Sequence, residues 1–128
     1  MNLIDERRVH FRLPVISQIK FSFLQPYSLK KTLKNNKGIL KNLSVDGLFF
    51  ETKTLKKKKL DLLKNKKLFF SLEFTLPSSE KISTTAELRW IKDNTEYIET
   101  NKNGFGLKFL TMSVYTSKIL EKYIKTAI

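Results

Sequence analysis

From residue 15 to residue 24 apolar and polar side chains alternate: Ile19, Phe21 and Phe23 fall on one side, Gln18, Lys20 and Ser22 on the other. A period of two is that of a strand with one face in a core and the other in water. The same alternation, or a short apolar run, returns at residues 38–44, 48–52, 68–76, 81–92 and 105–110. Turn residues separate these segments. Asp46-Gly47 predicts a tight hairpin between the second and third, because glycine takes a positive φ without cost. Pro77-Ser78-Ser79 closes the fourth; Asp93-Asn94 and residues 101–103 turn the chain before the last, with Tyr97 and Ile98 as a brief strand segment between them. After residue 113 the period changes. Ile119, Leu120, Tyr123, Ile124, Ala127 and Ile128 form one apolar stripe at helical spacing, with Ser113 as the cap. Short strands joined by hairpins without a helical crossover predict a mainly β fold: a six-stranded antiparallel β-barrel with a C-terminal α-helix covering an open mouth or side.

Two stretches stand apart from this pattern. Residues 25–37 are polar, basic and broken by Pro26 and Asn35-Asn36, which reads as a connection, and residues 53–67 hold eight Lys against the single acid Asp61. Pro14 biases Leu13 toward an extended backbone and argues against a helix through residues 7–14. Residues 1–14 therefore read as a mobile leader to one domain, 15–128. A hydrophobic fraction of 41% with ten Phe supports a real core in that domain. The absence of cysteine excludes disulfides and thiolate chemistry. With no apolar run near the roughly 20 residues of a spanning helix, and a charged N-terminus where a signal peptide would be apolar, the expected location is the cytoplasm.

A net charge of +13 favours anionic partners. Abundant Lys beside Asn, Ile and Leu is also what an AT-rich coding sequence produces, so charge alone names no partner. The distribution of Arg says more. Only four of the 25 basic residues are Arg, namely Arg7, Arg8, Arg12 and Arg89, and three of them fall within six positions. Guanidinium is a flat fork that grips phosphate or a guanine edge bidentately and stacks on a base, which ammonium does not do. The competing reading is a solvated terminal tail. A second polar cluster, Asn42-Leu43-Ser44-Val45-Asp46-Gly47, sets Asn42 and Ser44 two apart on a strand, hence on one face, with Gly47 allowing a ligand close to the backbone. By itself it also reads as the solvent face of a hairpin. One histidine, His10, no cysteine and scattered acids provide neither a nucleophile–base pair nor a metal cluster, so neither catalysis nor a cofactor is expected.

Taken together, the RRxxxR leader and the NxSxxG hairpin about thirty residues later resemble the PilZ domain family, receptors of the bacterial second messenger cyclic di-GMP. Ala86-Glu87-Leu88-Arg89-Trp90 resembles the family's GxVxW strand, with Ala in place of Gly, and Gly104-Phe105-Gly106-Leu107-Lys108-Phe109 its GxGVxF strand. The resemblance spans essentially the whole chain and implies the site. Arg8 and Arg12 would clamp phosphate and guanine, with Arg7 beside them for stacking or a further contact. Asn42 would face a guanine amino group, Ser44 would hydrogen-bond ligand, and Gly47 would permit close approach. The family also uses Asp at position 42, and a neutral amide there weakens binding by about 1 kcal/mol. An Arg directly before RxxxR, the place of Arg7, implies two stacked ligand molecules. Trp90 shares its face with Ala86 and Leu88, so it reads as core before it reads as a stacking platform.

The resulting expectation is a receptor whose leader folds over the barrel when its arginines engage ligand. Only five residues precede Glu6, so the signal would pass through the new surface to a separate effector protein. Two rival readings stay open. A small basic barrel could bind nucleic acid or anionic surfaces through Lys56, Lys57, Lys58 and Lys59, and a ligand-free domain of the same fold could act as an interaction adaptor.

Overall fold

In the computed structural model, which describes residues 12–24, 36–53, 68–92 and 102–127, the alternating segments are strands: β1 (Leu13–Leu24), β2 (Asn36–Leu43), β3 (Gly47–Lys53), β4 (Phe69–Thr75), β5 (Lys81–Lys92) and β6 (Lys102–Phe109). A helix, α1 (Val114–Ala127), follows. All neighbouring strands are antiparallel, and the order β1-β2-β3-β6-β5-β4 closes on itself. Closure pairs every strand on both sides and leaves no open edge. The six-stranded barrel with its terminal helix is thus the fold that the periodicity predicts. Leu13 and Pro14 pair with Leu43 and Asn42, so β1 starts two residues ahead of the alternating run. Arg7, Arg8, His10, residues 25–35, the lysine-rich residues 54–67 with Lys56 to Lys59, Tyr97, Ile98 and Ile128 lie outside the described residues.

Alternation places the phenylalanines. Phe21, Phe50, Phe70 and Phe105, one each from β1, β3, β4 and β6, meet in the middle of the barrel, with ring centroids 4.8 Å apart for Phe21–Phe50 and 5.5 Å for Phe50–Phe105. Each contributes about 1.5–3 kcal/mol of burial. Gln18 and Lys20 face water, whereas Ser22, expected beside them, is buried on the outer side opposite Ser71. Ser113 Oγ accepts the Thr116 backbone N–H at 3.1 Å and caps α1. Leu120 and Ile124 carry the helix into the same core, flanked by Ile119 and Tyr123. Ala127 is exposed, so among the described residues the buried stripe ends at Ile124.

The described strands contain three register shifts, one of them in β1 between Pro14 and Ser17, and the other two set the outer surface. In β2 the register slips between Leu40 and Asn42, and in β5 between Leu88 and Trp90. An unpaired extra residue advances the side-chain alternation by one and exchanges inside for outside. Ala86 and Leu88 pack inward; beyond the bulge at Arg89 the inward residue is Ile91, opposite Phe105, while Trp90 sits opposite Gly106 and is 41% exposed. Trp90 is therefore not core. Its shared face with Ala86 and Leu88 ends at the bulge.

Candidate functional site

The bulges align a row of residues across the outer face. Register connects Pro14 to Asn42, Asn42 to Phe49, Phe49 to Gly106 and Gly106 to Trp90. Phe49 and Trp90 lie flat on one another, 4.9 Å between centroids with 10° between planes. The space for both rings comes from the Gly104-x-Gly106 motif. A Cβ on Gly104 would fall within 3.0 Å of the Phe49 ring, and one on Gly106 within 3.0 Å of the indole, closer than real Cβ atoms come. The motif therefore admits an aromatic wall against the sheet.

Beside the wall stands the β2–β3 turn. Its closing backbone bond runs from Ser44 N–H to Gly47 C=O, 2.9 Å, and Phe109 N–H donates to Asp46 C=O at 2.8 Å, tying the turn to β6. The Ser44 hydroxyl donates to the Asp46 carboxylate and accepts the backbone N–H groups of Asp46 and Gly47 at 3.3 and 3.2 Å. It is 3% exposed, so the hydroxyl organises the turn. No described glycine has a positive φ, which corrects the conformational role expected of Gly47. What demands glycine there is proximity to β6: a Cβ would fall within 3.0 Å of the Leu107 carbonyl oxygen.

Arg12, exposed and directly ahead of β1, enters next to this turn because Leu13 pairs with Leu43. A cleft of about 300 Å³ results, with Arg12 on one side, Ser44, Asp46 and Gly47 at the turn, Arg89 and Trp90 on the β5 side and residues 106–108 of β6 between. Arg12, Arg89 and Lys108 against Asp46 give this lining a net charge of +2. The structure thus gathers Arg12, Ser44, Gly47 and Trp90 around one space. Asn42 is in the adjoining row but does not line the cleft, and its Oδ1 is buried without a hydrogen-bond partner. Arg7 and Arg8 lie outside the described residues.

Asp46, Arg89 and Lys108 escaped sequence reasoning. Arg89 carried a signal in the scarcity of Arg that singled out the other three, and Asp46 stood within the turn cluster, where it was read only as a turn residue. Larger hollows lie beside β1, β2 and β3, about 590 Å³, and across β1, β4 and β5, about 350 Å³. Neither contains a motif residue, so chemistry and not size selects the smaller cleft.

Comparison with known proteins agrees with this geometry. The PilZ domain sequence profile matches residues 6–126. Among solved structures, the chain is similar to the PilZ domain of YcgR from Escherichia coli, with c-di-GMP (17% identity, TM-score 0.66, 94% of this chain and 91% of that one). It is also similar to the Bacillus subtilis inhibitor of motility MotI/DgrA (17%, 0.66, 93% and 50%) and to Borreliella burgdorferi PlzA in complex with c-di-GMP (14%, 0.54, 94% and 53%). It spans about half the length of the latter two chains. A comparison with curated protein sequences gives no significant match. With the profile covering all but a few terminal residues, and the turn, the Gly-x-Gly strand and the closed barrel in their places, this chain belongs to the PilZ domain family.

Proposed function

We propose that this chain is a cyclic di-GMP receptor that binds its ligand in the cleft between Arg12, the β2–β3 turn and the Trp90 wall, and signals to a partner protein. The observation that carries this reading is the convergence of four separate parts of the sequence on one cationic cleft with an aromatic side. Cyclic di-GMP presents two phosphates, each carrying one negative charge, and two guanines. A lining of net +2 with forked guanidinium donors suits the phosphates. Trp90, supported from behind by Phe49, offers a flat face to a purine. Guanine N1 and N2 need acceptors. An orphaned buried acceptor costs about 1–3 kcal/mol, and the Asn42 Oδ1 loses that cost when its side chain turns to a guanine amino group. Family membership supports the ligand class, as does c-di-GMP in the structures of the YcgR domain and PlzA.

Arg8 joins Arg12 in the clamp, and Arg7 favours two stacked ligand molecules per site. Engagement of these side chains orders the leader over the barrel and creates the surface that an effector reads. Titration calorimetry with cyclic di-GMP tests the reading. Saturable heat with two ligands per chain is expected, and absence of binding at millimolar ligand refutes it. Hydrogen exchange of residues 1–14 tests the ordering step, which is wrong if saturating ligand leaves exchange unchanged.

A further inference from the structure

Arg89 occupies the extra position of the β5 bulge, so it and the next residue, Trp90, both reach the same cleft. Successive residues of a regular strand point to opposite faces, and only a bulge allows this pairing. The Arg89 guanidinium is anchored at one end: its Nη1 donates to Glu87 Oε1 at 3.0 Å, and the side chains are 55% and 13% exposed, respectively. One N–H of five is used there, and the exposed remainder has donors to give.

Stability does not account for an arginine at this place, since an exposed ion pair contributes about 0–1 kcal/mol. The two other ion pairs among the described residues, Lys41–Glu51 at 3.6 Å and Lys81–Glu73 at 3.2 Å, are built with lysine. The one pair that borders the cleft uses a guanidinium, and it faces a lining that holds Arg12. What distinguishes arginine from lysine is a rigid fork that matches the oxygens of a phosphate.

We infer that Arg89 grips the ligand: it donates to a phosphate of the cyclic dinucleotide from the β5 side of the cleft, with Glu87 fixing the guanidinium from behind. The inference rests on the cleft being the cyclic di-GMP site. Arg89 then supplies a cation on the bank away from Arg12, so that the ligand is held between two guanidiniums.

Calorimetry with cyclic di-GMP on the full chain, wild type beside Arg89→Gln and Arg89→Lys, tests this. Loss of one charge-assisted contact predicts that Arg89→Gln weakens binding about tenfold or more. Arg89→Lys, which keeps the charge and a partner for Glu87 but not the fork, recovers part of that loss. Its unfolding midpoint serves as the folding control. An Arg89→Gln affinity within about twofold of wild type overturns the inference, as does an Arg89→Lys affinity equal to that of wild type, which would show that the fork at this position is not what the ligand senses. Failure of the wild type to bind defeats instead the proposed function, so the two failures are distinguishable.

Discussion

Gly106→Ala tests the aromatic wall directly. The backbone at this position does not have a positive φ, so alanine is conformationally allowed. In open space the substitution would stabilise the fold by about 0.4–1 kcal/mol through loss of unfolded-state entropy. The space is taken: the three heavy atoms nearest the new Cβ, all within 3.0 Å, belong to the Trp90 indole. The ring must lift off Phe49 to make room. Overpacking of this kind costs about 1–3 kcal/mol, of which the aromatic stack accounts for about 0.5–1.5. The net expectation in the native background is destabilisation by about 1–2 kcal/mol. In a Trp90→Ala background the obstruction is gone, and the same glycine substitution becomes stabilising by about 0.4–1 kcal/mol. Urea denaturation of the four proteins of this cycle, followed by far-ultraviolet circular dichroism, measures the coupling. Because Trp90 is the only tryptophan, its emission in Gly106→Ala should also move to longer wavelength as the ring leaves Phe49. A coupling of less than about 0.5 kcal/mol, the range of independent sites, would refute the account of the Gly-x-Gly motif.

Further outcomes follow from other parts of the site and core. Arg12→Ala should raise the calorimetric dissociation constant for cyclic di-GMP about tenfold or more while leaving the urea midpoint in place, because Arg12 is exposed. Ser44→Ala removes the oxygen that accepts two backbone N–H groups of the turn; denaturation should show a loss of about 1 kcal/mol even without ligand. Phe50→Ala, at the centre of the ring cluster, should cost about 3–5 kcal/mol by the same assay. Glu80 titrates below the usual carboxylate range, chiefly because the Ser78 side chain hydrogen-bonds its charged form. With the folded value depressed, its stabilising contribution is present above the unfolded value and fades as pH falls through the folded one. An NMR titration should show this low value, and Ser78→Ala should move it up.

The sequence by itself determined the number of strands, their antiparallel sense, the capped terminal helix and the clustering of arginine ahead of the first strand. Each of these is local: a strand's period, a helix's stripe and a cap are written within a few consecutive residues. Ile19, Phe21 and Phe23 went inward as the alternation required. Trp90 did not, because alternation carries over only while every residue has a partner, and whether Arg89 is left unpaired depends on β6, more than a dozen residues away. The same holds for Gly47. The sequence shows a glycine in a turn, but only the packing of β3 against β6 reveals that its missing side chain makes room for the Leu107 carbonyl. Arg12, Asp46, Arg89 and Lys108 became neighbours through closure of the barrel. Closure joins β1, the hairpin, β6 and β5 around one cleft, and that is a property of strand order and register which no single segment contains.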